Sequence, residues 1–123
     1  MKNPFARFTI KYEFCLVFLL CMGGCGAQDK DGIEKSYFST GILQSVKSYQ
    51  NGVLNGISRE YYESGTLKHA VNYTNDLIDG MYHTYYPQGF LWTKEVYEDG
   101  IFVGRKEYNE EGEVINEEGF NEG

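Results

Sequence analysis

The side chains that could do chemistry are few and widely separated in this chain of 123 residues. His69 and His83 are its only histidines, and no cysteine follows position 25, so the three or four ligands of a zinc site are missing. Ser58, Ser64 and Thr84 are hydroxyl side chains without an evident neighbouring base that would make them nucleophiles. We therefore expect neither an enzyme nor a metal or cofactor site, and we interpret both histidines as ordinary strand residues.

Tyrosine and tryptophan are the residue types best suited to binding in this sequence, which contains 11 Tyr and 1 Trp. Both combine a large apolar area with a polar group, and both are enriched at protein interfaces. Four of these rings are the candidates for a binding surface, namely Trp92, Tyr82, Tyr61 and Tyr85. The alternative, which the sequence leaves open, is that these rings only pack the elements that carry them.

Those elements repeat, because an aromatic residue followed three positions later by glycine recurs along most of the chain. Two series of aromatic residues keep an interval of 24, and they are Tyr49, Tyr73 and Tyr97, and Phe38, Tyr62 and Tyr86. A fixed interval of this length predicts a stacked repeat rather than a pocket that is built once.

Each unit of 24 residues divides into two halves, and each half predicts a β-strand of about 6–9 residues followed by a turn. Frequent glycines exclude long helices from this region. Alternation supports strands, since Leu67, His69, Val71 and Tyr73 would share one face of a sheet. Val46, Trp92 and Val96 fall out of phase with this alternation, which indicates that both faces are partly apolar.

The turns between these strands have recognisable chemistry. Asn51-Gly52 and Asp99-Gly100 are dipeptides that adopt positive φ readily and signal tight hairpins. Asp76 stands where the repeat predicts glycine, and aspartate tolerates the left-handed region better than most residues. The glycines expected to form turns are Gly52, Gly65, Gly89 and Gly100.

The first 24 residues have the order of a secretory signal peptide. A basic start is followed by the apolar run from Phe14 to Met22 and then by two glycines. The segment Met22-Gly23-Gly24-Cys25 resembles a bacterial lipobox, which implies cleavage before Cys25 and acylation of its thiol. Several acyl chains hold a protein on a membrane almost permanently. We therefore predict an extracytoplasmic, lipid-anchored protein of the cell envelope.

The organisation that follows has four parts. They are a signal peptide over 1–24, a flexible tether over 25–36, a repeat domain over 37–116 and an acidic polar tail over 117–123. Residues 1–24 hold three basic residues and one acidic residue, so their removal changes the net charge from −7 to −9. A surface of this charge repels nucleic acid, which we therefore exclude as a partner.

Two repeats carry a family resemblance. Tyr61-Tyr62-Glu-Ser-Gly65-Thr-Leu67 and its counterpart starting at Tyr85-Tyr86 resemble bacterial MORN-repeat variants. The resemblance spans roughly residues 37 to 115. It implies an all-β fold, in which antiparallel hairpins stack into an elongated, twisted meander sheet, and a non-catalytic module. Proteins of this kind are often labelled as YwqK-type antitoxins. That label goes with the repeat as a whole, and no particular residue of this chain indicates it.

Three functional hypotheses follow from these observations. The first is a membrane-anchored lipoprotein whose repeat sheet is an interaction scaffold, with a protein or an envelope polysaccharide as its partner. The second is an antitoxin or immunity protein that neutralises a toxin by direct binding, for which an acidic surface suits a basic toxin. The third is an enzyme, which the scarcity of chemical groups disfavours.

Overall fold

The computed structural model describes residues 30–119, which form one open sheet of nine antiparallel strands. The strands are β1 Gly32–Tyr37, β2 Leu43–Gln50, β3 Val53–Leu54, β4 Gly56–Tyr61, β5 Leu67–Thr74, β6 Leu77–Tyr85, β7 Leu91–Glu98, β8 Ile101–Tyr108 and β9 Val114–Glu118. Their order in the sheet is β1-β2-β4-β5-β6-β7-β8-β9, and the short β3 pairs with β2. Strands β3 and β4 both pair with β2, and all other sequential strands are neighbours, so the predicted all-β meander of hairpins is confirmed.

Tight turns connect the strands at one end, and in each of these turns two consecutive residues have positive φ. These residues are Asn51 and Gly52 at 52° and 79°, Asn75 and Asp76 at 49° and 65°, and Asp99 and Gly100 at 48° and 80°. Two positive φ values in a two-residue loop define a type I′ turn, whose twist matches that of the flanking strands. Asp76 thus occupies the left-handed conformation where the repeat otherwise has glycine.

Wider turns of five residues connect the strands at the opposite end, and they share one hydrogen-bond pattern. The first residue of each turn accepts from the glycine three positions on, and its own N–H donates to the carbonyl of the residue four positions on. The first residues are Phe38, Tyr62, Tyr86 and Asn109. Gly65 and Gly89 have φ of 88° and 100° in these turns.

A one-residue bulge follows each wide turn and changes which side chains share a face. Gln44, Lys68, Trp92 and Ile115 are the extra residues, since the pairing shifts by one position around each of them. The expectation that Leu67 shares a face with His69 is therefore wrong, because a bulge at Lys68 places Leu67 on the opposite face. The same irregularity explains why Trp92 and Val96 fall out of phase in the sequence.

Very little of this sheet is a hydrophobic core. Among residues 30–119, Val71 is the one apolar side chain that is buried, with 4% of it exposed. The other buried side chains are the hydroxyls of Ser45, Ser58 and Thr93. Two of them bond across strands, since Ser36 Oγ lies 2.7 Å from Ser45 Oγ and Thr84 Oγ1 lies 2.6 Å from Thr93 Oγ1, whereas Ser58 Oγ has no hydrogen-bond partner within residues 30–119. Within residues 30–119 the sheet is a single layer, so no other element covers either of its faces.

The boundary between tether and repeat lies earlier than the sequence suggests. Strand β1 includes residues 32–36 of the segment predicted as a tether, and Lys30 and Asp31 already bond to the first tight turn. The carbonyl of Lys30 accepts a hydrogen bond from Gly52 N–H, and the Asp31 carboxylate accepts one from Asn51 N–H. A polar strand is stable here because an edge strand needs only one ladder of backbone hydrogen bonds.

The other boundaries are partly outside the described residues. Strand β9 runs to Glu118 with exposed side chains, so two residues of the predicted tail continue the sheet. The predicted signal peptide over 1–24, Cys25, the first part of the tether and residues 120–123 lie outside the described part of the chain. Within residues 30–119, no helix has the length and apolarity that crossing a membrane requires.

Candidate binding surfaces

Two faces of the sheet differ in chemistry, and each is defined by residues of β4 to β8. We call the face that carries His69, Tyr82 and Tyr97 the aromatic face. We call the face that carries Arg59, Ala70, Met81 and His83 the groove face. Cross-strand pairing fixes both sets, since directly opposed residues in antiparallel strands point to the same side.

A chain of ring contacts crosses the aromatic face from β5 to β8. His69 and Tyr82 meet edge to face with centroids 5.7 Å apart, and Tyr82 lies 6.5 Å from Tyr97. Tyr97 in turn meets Phe102 edge to face at 5.7 Å. Contacts of this kind stabilise neighbouring strands by a few tenths to about 1 kcal/mol each. The rings therefore take the place of a deep core.

Acidic groups lie among these rings. The Tyr97 hydroxyl donates a hydrogen bond to Glu95 Oε2 at 2.9 Å, and Arg105 Nε lies 3.8 Å from Glu95 Oε1. Burial, followed by the bond to Glu95, raises the pKa of Tyr97 to about 12. Burial, with Glu95 as a second cause, also raises the pKa of Tyr82. Both phenols are therefore neutral hydrogen-bonding groups at ordinary pH.

Trp92 extends the aromatic face toward the wide turn. Its ring stacks on Tyr86 with centroids 5.5 Å apart and planes 29° from parallel. Its indole N–H donates to Glu107 Oε1 at 3.0 Å, and 40% of the residue remains exposed. The ring is held in one orientation while much of it faces solvent, which suits a contact surface.

The groove face has an open depression of about 610 Å³ above β5. Ala70 forms its floor, and its walls include Ile57, Arg59, Met81, His83 and Tyr85. Burial lowers the pKa of His83, and nearby Lys94 lowers it further, so the imidazole is mainly neutral at pH 7. Among residues 30–119, no acidic side chain lines this groove.

The four candidate rings from the sequence do not form one site. Trp92 and Tyr82 lie on the aromatic face, and Tyr85 lines the groove on the other side. Tyr61 is paired across strands with Leu67, which also lines the groove. Within the described residues no His, Cys, Asp and Glu side chains form a group of three that could hold a metal ion.

Sequence reasoning missed the residues that give each face its chemistry. Tyr97 and Phe102 complete the ring contacts of the aromatic face, and Arg59 is the cation in the groove. A signal was available, because Lys35, Arg59 and His83 repeat the 24-residue interval. Only the register of the sheet shows that residues at equivalent positions of successive units lie in one row across the strands.

Comparison with known proteins gives one family and one structure. Residues 30–51 and 54–75 match the MORN repeat variant. The search of curated proteins gave no match. A chain in the crystal structure of accessory secretory protein 1, 2 and 3 in Streptococcus pneumoniae is similar over 76% of this chain, with 22% identity and a TM-score of 0.46. The present chain covers 18% of that protein. Residues 30–75 thus contain two MORN-variant repeats, and the first begins at Lys30.

Proposed function

We propose that this protein is a non-catalytic binding module whose open sheet holds a protein partner. The observation that carries the proposal is Trp92, a ring fixed by Tyr86 and Glu107 yet 40% exposed. Large exposed apolar residues lie on both faces, and they include Ile57, Met81 and Phe102. Rigid aromatic rings with a polar group are typical centres of protein interfaces. The match to MORN-variant repeats supports a binding role over a catalytic one.

The proposal includes attachment to the cell envelope through a lipid on Cys25. Its support is the signal-like order of residues 1–24 and the lipobox-like residues before Cys25. Strand β1 begins at Gly32, so only a few residues would separate the lipid from the sheet. A partner would then be held close to the membrane, and an envelope polysaccharide remains the other ligand class.

The binding part of the proposal is tested by photocrosslinking. A photoreactive phenylalanine analogue replaces Trp92 in one variant and Glu110, in a wide turn, in the control variant. We expect one protein to be captured in whole cells from position 92 and not from position 110. Trp92→Ala should compete poorly for that protein while unfolding at nearly the same urea concentration as the wild type. If Trp92→Ala unfolds the sheet, the ring is structural and the proposed surface is wrong.

Metabolic labelling with a fatty acid, followed by membrane fractionation, tests the anchor. Wild type should carry the label and sediment with membranes, whereas Cys25→Ser should do neither. An unlabelled, soluble wild-type protein would contradict envelope attachment. In that case a toxin captured at Trp92 would favour the alternative function, an antitoxin that acts by occlusion.

A further inference from the structure

A cross-strand row that contains four cationic side chains, Lys35, Arg59, Lys94 and Lys106, crosses the groove face of an otherwise acidic protein. The residues are paired strand by strand, and they are Lys35, Val46, Arg59, Ala70, His83, Lys94 and Lys106. Glu117 ends the row and forms an ion pair with Lys106 at 3.1 Å. The chain as a whole has a net charge of −7, so this row concentrates positive charge on one face.

Two cations of this row lie at the groove and are available to a ligand. No ion pair formed within residues 30–119 includes Arg59 or Lys94. Arg59 lines the groove, and Lys94 is directly opposite His83 at its far wall. A guanidinium group that faces an open groove without a carboxylate partner matches a carboxylate from outside.

Apolar groups stand on both sides of this charge along the groove. Ile57 and Met81 are two residues before Arg59 and His83 on their strands, and they are 45% and 50% exposed. Leu67 and Tyr85 line the other end of the groove. Alternate residues of a strand are spaced about 6.6 Å apart, so the order along the groove is apolar, basic, apolar at that spacing.

The width of the groove fits an extended chain. Arg59 on β4 and His83 on β6 are two strands apart, which corresponds to about 9.6 Å between their backbones. Ala70 lies between them on β5 and leaves the floor low. An extended peptide presents side chains at the same alternate spacing as the strands beneath it.

We propose that this groove binds an extended segment of a partner protein in which a carboxylate side chain lies between two aliphatic side chains at alternate positions. The carboxylate meets Arg59, and the aliphatic side chains cover the exposed faces of Ile57 and Met81 at one end and Leu67 at the other. This inference rests on the proposed binding function and adds the site and the chemistry of the partner. A walled groove favours an extended chain over the flat surface of an anionic membrane.

The test is a titration of fluorescent peptides with the full-length protein, followed by anisotropy. The probe has the sequence Ile-Thr-Glu-Thr-Val, and its analogues carry Gln or Lys in place of Glu. We expect the Glu peptide to bind roughly tenfold more tightly than the Gln peptide, since the charged hydrogen bond is lost. The Lys peptide should bind more weakly still. Equal binding of the Glu and Gln peptides, or no binding of the Glu peptide, would overturn the inference.

Matched variants locate the site. Arg59→Gln should weaken binding of the Glu peptide roughly tenfold, whereas Lys47→Gln on the aromatic face, which changes the net charge equally, should change it less than about twofold. Ala70→Leu should also abolish binding because it raises the groove floor without changing charge. Circular dichroism and urea unfolding establish that each variant is folded. If Lys47→Gln weakens binding as much as Arg59→Gln, the attraction is general and the groove is not the site.

Two further arms separate the possible outcomes. Binding to phosphatidylglycerol vesicles that Arg59→Gln removes, without any preference for the Glu peptide, would identify a membrane surface and overturn the inference. Capture of a partner at Trp92 that survives Arg59→Gln, with no peptide binding, would leave the proposed function standing and reject the groove. A third photoreactive variant carries the analogue at Met81, which lines the groove. If neither position 92 nor position 81 captures a protein, the proposed function itself fails.

Discussion

Gly100 shows how much of this fold depends on the conformation of single turn residues. Its φ is 80°, and a Cβ atom there would lie 3.4 Å from Leu77 Cδ2. The tight turns use such residues in series: Gly100 N–H donates to the carbonyl of Ile78, as Asp76 N–H does to Leu54. A strained residue at this position therefore acts on a hairpin and on its link to the preceding unit.

Gly100→Ala should lower the free energy of unfolding by about 1 kcal/mol or more, because alanine disfavours positive φ. Gly100→Asn should lose less despite its larger side chain, since asparagine tolerates this region, as Asn75 does at 49°. Urea unfolding of the three proteins measures the difference. A loss for Asn equal to that for Ala would mean that contact with Leu77, rather than backbone strain, decides the cost.

The two histidines predict a pH dependence of stability. Burial lowers the pKa of His69, with Glu60 opposing and Lys68 assisting, and burial followed by Lys94 lowers the pKa of His83. The unfolded chain therefore binds more protons than the folded chain as pH falls through about 6.5, and stability falls with it. This contribution is complete above the unfolded pKa and is lost below the folded one.

Urea unfolding at several pH values between 7.5 and 5 tests this prediction. Wild type should lose stability over this interval more steeply than the double variant His69→Gln, His83→Gln. The double variant retains every carboxylate, so its remaining slope reports the acidic groups alone. Identical slopes for both proteins would contradict the assigned burial of the imidazoles.

At the scale of the elements, tyrosine hydroxyls link consecutive repeat units. Tyr62 donates to the carbonyl of Tyr85 at 2.9 Å, and Tyr86 donates to the carbonyl of Tyr108 at 3.1 Å. Tyr62→Phe and Tyr86→Phe should each lower the free energy of unfolding by about 1 kcal/mol. Tyr61→Phe is the control, because its hydroxyl makes no such link among residues 30–119, and it should change stability much less.

The first unit lacks this link because Phe38 stands where the later units have tyrosine. Position 38 is equivalent to Tyr62, and Tyr61 is equivalent to Tyr85, so a hydroxyl at position 38 would reach the carbonyl of Tyr61. Phe38→Tyr should therefore raise the free energy of unfolding by up to about 1 kcal/mol. Thermal unfolding measures the gain, and a lowered midpoint would show that the first wide turn differs from the others in solution.

The strands and turns were predictable because their signals are local. Asn51-Gly52 and the period of 24 residues mark hairpins by the conformational preferences of a few residues. The bulges were not predictable, since the extra residues Gln44, Lys68 and Trp92 share no chemistry and are defined by pairing alone. For this reason the sequence placed Leu67 on the wrong face of the sheet.

Across the whole molecule, stability should be unequal along the sheet. Strands β1 and β9 are each paired on one side only, whereas β5 and β7 carry the buried Val71 and Thr93. In a stacked repeat each unit is stabilised by its neighbours, so the ends open first. Hydrogen exchange followed by mass spectrometry should find the slowest amides in β5 to β7 and the fastest in β9. Uniform protection would indicate a single cooperative unit.

The hydrogen bonds between successive tight turns also fix how much each repeat unit adds to the width of the sheet. The carbonyls of Lys30, Leu54 and Ile78 each accept a hydrogen bond from the tight turn of the following unit, so these three joints are built alike. A chain that gained or lost one unit of 24 residues would keep all its joints and change the width of the sheet by two strands, or about 9.6 Å. The width of the sheet would then change in equal steps with the number of units, while the residue types at equivalent positions of the units stay the same.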